Sequence, residues 1–297
     1  MESEERERYR EAGDILTTVM AEAADRIEVG ASLLEVAEFA ERRIREEGGA
    51  PAFPVNISVD EEASHATPAP DDDATFGEDL VCLDIGVHVD GYIADAATTV
   101  DLAGRPELVA AAEDALEAAV DAVEPGAHTG DIGAEIGAAI DDRGFNPIVN
   151  LTGHGLAHWD AHTGPNVPNR AVESGVELEA GDVLAIEPFA TTGGGRVGEG
   201  SLEEIYSIEE DRQVRNRAAR QLLEEAREEY RELPFATRWF DGGRATMSIR
   251  RLEQAGVLRS YPVLKESDGE LVSQAEHTLI VTEEGCEITT KGLFDFD

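Results

Sequence analysis

LVCLDIGVHVDGYIADAATTV, residues 80–100, is two runs rich in Val, Ile, Ala and Thr on either side of an Asp-Gly dipeptide. Asp-Gly supplies the positive-φ residues of a tight hairpin turn, so the stretch reads as two antiparallel strands folded at Asp90-Gly91. The turn brings Asp84 and Asp95 directly or diagonally opposite, where their side chains can reach one point. Two carboxylates facing each other between apolar strands repel, and an unpaired buried charge is costly, so a positive group then belongs between them. In a chain this acidic they can equally face solvent, as Asp90 and Asp101 do in the same reading, and the pair alone leaves both possibilities open.

Before the hairpin, residues 6–28 carry Ile15, Leu16, Val19 and Met20 at helical spacing and stop near Gly30. A second helix starts at Ser32, where Ser32 and Glu35 form a capping-box pattern, and runs on Leu33, Leu34, Val36 and Phe39 to Gly48-Gly49. FPVNISV (53–59) is a strand. After the hairpin come helices from Pro106 to Glu124 and from Ile132 to Asp142. Strands follow near FNPIVNL (145–151), DVLAIEPFA (182–190) and LEEIYSI (202–208), with a glycine-rich turn, TTGGGRVGEG (191–200), before the last. The chain closes with AEHTLIVTEE (275–284) and CEITT (286–290). Helices and antiparallel hairpins in both halves predict an α+β domain with its strands gathered into one sheet. The segment Asp211–Ser260 differs: it holds eleven arginines, half of the chain's total, and its periodic apolar positions predict two or three inserted helices. Its arginines alternate with Glu224, Glu225, Glu228, Glu229 and Glu232, a pattern expected of a salt-bridged helical surface.

With 297 residues and 41% apolar content the chain can bury a sizeable core. Its 64 acidic against 24 basic residues leave a net charge of −40, and lysine is reduced to Lys265 and Lys291. This composition is that of a protein from a salt-accumulating cytosol, where screening over a Debye length of about 3 Å relieves self-repulsion. It disfavours binding to nucleic acid phosphates. Cys82 and Cys286 imply no disulfide framework. The charged start MESEERERYREAGD lacks the apolar region of a signal peptide, and no apolar run is long enough to span a bilayer, so a cytoplasmic location is expected.

In LTGHGLAHWDAHTGP (151–165), His154, His158 and His162 recur every four residues, as metal ligands on one helix face would. Gly153, Gly155, Gly164 and Pro165 argue against a helix, so each histidine is judged separately. Glu187 and Glu276 lie in or beside apolar strands. Four carboxylates near apolar strands and one neutral imidazole are balanced by two divalent cations, and such an oxygen-rich set suits Mn, Fe, Co or Mg.

Together, FPVNISVDEEASHATP, LDIGVHVDGYIAD, TGHGLAHWDAH, AIEPFATTG and AEHTLIV resemble the type 2 methionine aminopeptidases of peptidase family M24, in the archaeal form without an N-terminal extension. The resemblance runs in order through essentially the whole chain. It implies a pseudo-twofold pita-bread fold of residues 1–204 and 263–297, interrupted by a winged-helix-like helical subdomain at 205–262. Asp84, Asp95, His154, Glu187 and Glu276 fall on the family's ligand positions for two divalent ions (Co, Mn, Fe or Zn), with Asp95 and Glu276 bridging. Glu187 falls on the general base, His65 and His162 on substrate-contacting catalytic histidines, and Phe53 and Ala161 on the apolar pocket wall. The implied reaction is attack of a metal-bridging hydroxide on the first peptide bond, releasing the initiator methionine of nascent polypeptides when the next residue is small. His88, His128, His158 and His277 match no functional position and are expected in surface or packing roles. A monomer is expected, with the ribosome as a further partner to test and no membrane or sequence-specific nucleic acid. Two other readings share the fold: an X-Pro dipeptidase or aminopeptidase, and a non-catalytic ribosome-binding relative, although such relatives lose ligands and all five are present here.

The charge balance predicts salt-dependent stability. The thermal midpoint should climb as KCl is raised from dilute buffer to molar concentration; a midpoint indifferent to salt would remove the halophilic reading.

Overall fold

In a computed structural model, residues 1–294 are described except Asp211, Gln213, Asp241 and Gly242. The expected first residue of the helical segment, Asp211, and residues 295–297 of the expected catalytic unit lie outside the described residues. The chain builds two helix-on-sheet halves in succession. The first comprises α1 (Ser3–Ala24), α2 (Leu33–Glu46), β1 (Ala50–Pro51), β2 (Asn56–Val59), β3 (Glu62–Ser64), β4 (Leu80–Val89) and β5 (Tyr92–Asp101). The second starts with α3 (Pro106–Ala122) and α4 (Thr129–Asp142), then β6 (Asn146–Pro147), β7 (Thr152–Ala157), β8 (Asp160–Pro168), β9 (Val183–Ile186), β10 (Phe189–Thr191) and β11 (Gly198–Ile208). After α5 (Arg217–Glu229), β12 (Phe235–Ala236) and α6 (Arg244–Gln254), the chain returns through β13 (Leu258–Lys265), β14 (Val272–Gln274), β15 (His277–Thr282) and β16 (Gly285–Ile288).

β4 and β5 form the hairpin read from the sequence, with Asp90 and Gly91 at φ of 51° and 87° in its turn. Strand alternation then sorts the side chains. Val81, Leu83, Ile85 and Val87 of β4, with Ala94 and Ala96 of β5, pack against Leu16, Val19, Ala40 and Ile44 of α1 and α2. Asp84 and Asp95 therefore share the opposite face. Asp84 pairs with Ala97 and Asp95 with Gly86, so the two acids are diagonal neighbours. Ser32 caps α2 by accepting from the Glu35 N–H at 3.3 Å, as its pattern predicts. In the second half, Leu184, Ile186, Leu279 and Val281 pack against Leu116, Ile132 and Ile136 of α3 and α4.

The strands do not gather into one continuous sheet; among the described residues they divide into four hydrogen-bonded groups. One division has a simple cause. β9 pairs with β15 up to Ile186 and His277, and β10 resumes pairing with β14 at Phe189 and Gln274. Between these pairs stand Glu187-Pro188 and Ala275-Glu276. Proline has no N–H to give a ladder, so the regular pairing lapses there, but the alternation carries through: Ile186 and Ala190 face the helices, and Glu187 and Glu276 face the other way. The halves are stitched together at the same level. The Asp95 N–H donates to Thr278 Oγ1 and that hydroxyl donates to the Asp95 carbonyl, both at 2.8 Å, while the Glu276 N–H donates to the Ala97 carbonyl at 3.0 Å.

The histidine-rich stretch 151–165 forms a hairpin, β7–β8. Its spacing of four thus reflects the distance around a turn: His154 on β7, His158 at the turn and His162 on β8. The segment after Ile208 has a hydrophobic cluster of its own, in which Leu222, Leu223, Ile249 and Leu252 of α5 and α6 pack on Tyr206, Phe235 and Leu258. It holds two helices and a short 3-10 turn, Thr237–Trp239. The β11–β13 pairing continues past residue 205, Ile205 facing Tyr261 and Tyr206 facing Ser260 after register shifts on either side of Glu203, so this unit grows from a bulged two-stranded ribbon. Arg220 and Glu224 on α5 form one of its surface pairs at 3.9 Å.

Gly155 is required by the second hairpin: a Cβ there would stand 2.2 Å from the Gly164 carbonyl oxygen. Gly155→Ala should destabilise the fold by about 1–3 kcal/mol or more in denaturant melts, since backbone cannot move aside as a side-chain tip can.

Candidate metal centre

A cavity of about 380 Å³ opens between the halves. Asp84, Asp95, His154, His162, His65, Glu187 and Glu276 all line it, together with Phe53, Ile205, Tyr261 and Leu264. Asp95 and Glu276 are 3% and 1% exposed and His154 is 7% exposed, and one donor atom from each lies within 4.8 Å of the others. Asp84 enters from β4 and Glu187 from the break after β9. His154 Nε2 stands 3.8 Å from both Asp95 Oδ2 and Glu187 Oε1, beyond hydrogen-bond reach. Gln274 Nε2 donates weakly to Glu187 and Glu276, at 3.5 and 3.4 Å.

Among the described residues, this group has no positive partner lining the cavity. Burial pushes the Asp84 carboxyl up to about 7. Burial first, then neighbouring carboxylates, holds Asp95, Glu187 and Glu276 well above the ordinary acid range. Burial, reinforced by His162, depresses His154 to about 3, so its ring is neutral. Its Nδ1 lies 3.2 Å from the Gly155 carbonyl, which can only accept; the ring proton therefore belongs on Nδ1 and Nε2 presents a lone pair toward the acids. Asp84 Oδ1 and Asp95 Oδ1 are buried without hydrogen-bond partners among the described residues. A lone pair aimed at carboxylates, with two orphaned acid oxygens beside it, is repulsive unless cations stand between them. The donor set, oxygens with one imidazole nitrogen, fits divalent ions.

The other histidines separate clearly. His65 has φ +63°, its Nδ1 lies 3.2 Å from the Pro262 carbonyl, and burial lowers its pKa to about 4. The ring of His162 is 4.4 Å from that of His154, and burial lowers its pKa too. His88 accepts from the Gly91 N–H at 3.2 Å and packs on Trp159, His128 accepts from the Gly130 N–H at the start of α4, and His277 contacts Thr290 and Phe294. His158 stacks on Tyr92, with Nε2 2.8 Å from the Asp90 carbonyl. Phe53 lines the cavity, whereas Ala161 packs with Phe53 and Leu156 in the buried cluster behind it, and β8 lines the cavity with His162, Thr163, Gly164 and Asn166. Pro234, Tyr261, Leu264 and Asn150 also line the cavity; as ordinary loop and strand residues, they carry no chemical signature in the sequence.

The sequence profile of metallopeptidase family M24 matches residues 7–283. The chain belongs to this family. A methionine aminopeptidase of Archaeoglobus fulgidus is 53% identical over 292 residues, covering 98% of this chain and 100% of that protein. The methionine aminopeptidase structure from Thermotoga maritima matches with a TM-score of 0.73 at 25% identity, 98% of each chain being covered. A thermophilic Arx1 matches with a TM-score of 0.89 at 17% identity, covering 100% of this chain and 93% of that one, a likeness of fold alone. The M24 chain therefore has the pita-bread α+β fold and is a hydrolase that works with divalent metal ions.

Without metal, each raised carboxyl binds its proton more tightly folded than unfolded. Its contribution to stability is present below about pH 4, the unfolded value, and is lost as pH rises through the folded value. For Asp84 that folded value is about 7. A divalent cation takes the protons' place. Chelated protein should melt lower at about pH 8 than at about pH 5.5, and added Mn or Co should raise the midpoint more at the higher pH while releasing protons. Equal midpoints with and without metal would refute this.

Proposed function

We propose that Asp84, Asp95, His154, Glu187 and Glu276 hold two divalent ions, and that the enzyme is a methionine aminopeptidase that removes the initiator methionine when the next residue is small. The observation that carries this is the convergence of four buried carboxyls and one neutral imidazole on a single cavity, in a chain 53% identical to an archaeal methionine aminopeptidase over nearly its whole length. Bound there, divalent ions act as Lewis acids and lower the pKa of the attacking water.

The side chains supply the rest. Glu187 takes the proton of the attacking water and passes it to the departing amine, a role suited to a carboxyl whose own burial, and then the neighbouring Asp84, raise its basicity. His65 is neutral, and because its Nδ1 donates to the Pro262 carbonyl, Nε2 is left to accept a substrate N–H. His162 stands over the reacting end and stabilises charge on the scissile carbonyl, a contact whose loss costs about 100-fold or more in rate. Phe53, Ile205, Tyr261 and Leu264 form an apolar wall for the methionine side chain, with Ala161 packed behind Phe53.

The type 2 class follows from the same reading, with 205–262 as a winged-helix-like subdomain inserted in a catalytic unit formed by 1–204 and 263–297; its separate hydrophobic cluster supports this. The charge of −40 supports a halophile's cytosol as its setting and makes encounters with ribosome-borne chains transient. No helix among the described residues is long and apolar enough to cross a membrane. One chain supplies all five proposed ligands, so a monomer suffices to complete the site.

At high salt with Mn or Co added, the protein should release methionine from Met-Ala-Ser and leave an Xaa-Pro dipeptide intact. His154→Ala and Glu276→Ala should abolish release; activity retained in either variant, or a preference for Xaa-Pro, would overturn the assignment.

A further inference from the structure

We propose that Arg238, in the short turn before α6, is a positioning residue that fixes His65 at the reacting end of the cavity. This rests on the reading of His65 as a substrate contact. His65 holds a left-handed backbone at φ +63°. Such a conformation costs a non-glycine residue about 1–3 kcal/mol and persists only where its surroundings over-determine it. On one side Ser64 pairs with Leu264 in the β3–β13 ladder, and the carbonyl of Ala66 accepts from the Ile57 N–H at 2.7 Å. Beyond Ala66 the chain leaves the sheet, and the next fixed points are made by Arg238.

Arg238 Nη1 donates to Thr67 Oγ1 at 2.7 Å and to the Pro68 carbonyl at 3.1 Å. The Thr67 hydroxyl donates to the Val55 carbonyl at 2.7 Å. Arg238 Nη2 pairs with Glu41 Oε1 on α2, and the same oxygen accepts from the Val55 N–H at 3.2 Å. Trp239 Nε1 donates to the other Glu41 oxygen at 2.7 Å. The contacts close a circuit from the Val55 N–H through Glu41, Arg238 and Thr67 back to the Val55 carbonyl. They clamp the segment carrying Phe53 and Asn56, both cavity-lining, against the segment carrying His65.

The side chains of Arg238 and Glu41 are 3% and 5% exposed, unlike surface pairs such as Arg8–Glu11 at 36% and 51%. A buried pair contributes little stability beyond what apolar residues of the same volume would give. What the planar guanidinium adds is direction, since it reaches acceptors on two separate chain segments at once. Through Arg238, the inserted unit holds a group that acts on substrate without itself touching it.

The test is a double-mutant cycle on methionine release from Met-Ala-Ser by the metal-loaded full chain. Arg238→Gln should lower kcat by about 10- to 100-fold, as a displacement of about 1 Å does, with KM within about twofold and the metal-induced rise in melting temperature unchanged. Because Arg238→Gln leaves Glu41 buried without its partner, Thr67→Val is the companion variant: it removes the accepting hydroxyl and keeps the ion pair. In a His65→Ala background both substitutions should lose their effect on kcat. Effects as large with His65 absent as present, or an unchanged kcat in folded Thr67→Val, would overturn the proposal. Release that is unaffected by His65→Ala would instead remove the role of His65 on which the proposal stands, while absence of release by the wild-type enzyme would remove the functional reading itself.

Discussion

Four carboxyl groups converge on one cavity, and among the described residues no lysine or arginine lines it with them. Left to itself such a cluster would fly apart or stay protonated, because burial and mutual repulsion both act against ionisation. The fold opposes this with backbone rather than with side-chain charge. The reciprocal bonds between Asp95 and Thr278, and the bond from Glu276 to the Ala97 carbonyl, fix two acids through their own main chains. Because those bonds also join the two half-sheets, assembling the halves and assembling the site are one event. The cations that the cluster calls for then become part of the stability of the domain as well as of its chemistry.

Strand alternation does the complementary work. Glu187 and Glu276 occupy facing gaps in one strand pairing, opened by Pro188. Alternation sets Leu184, Ile186, Leu279 and Val281 against the helices, so Glu187 and Glu276, out of phase with them, fall on the opposite face and line the cavity. His154 is handled differently: it stays in its strand, and Gly155 admits the close approach of β8 that brings His162 over it.

The sequence revealed those features whose determinants are local. Asp90-Gly91 with alternating apolar residues announced the central hairpin, and Ser32 and Glu35 announced the start of α2, because a turn or a cap is decided within four residues. The five proposed ligands drew notice as acids and a histidine in or beside apolar runs, and only the resemblance to a family joined them into one set. The β7–β8 hairpin was hidden, since glycines and histidines dilute the strand pattern and its register is irregular. The partition into four sheets depends on where ladders lapse, and only Pro188 marks such a place. Contacts such as Asp95 with Thr278 and Arg238 with Glu41 join residues 183 and 197 positions apart, and nothing at either end names its partner.

The ribbon of β11 and β13 has a consequence for how this architecture can vary. A two-stranded arm can lengthen, shorten or acquire a cap at its free end while the pairs nearer its root keep their register. Here the root pairs Leu264 with Ser64, next to His65, and the tip carries a small helical body. Inheritance can therefore remodel the free end of the arm while sparing its root, provided that the link from Arg238 to Glu41 and Thr67 is kept.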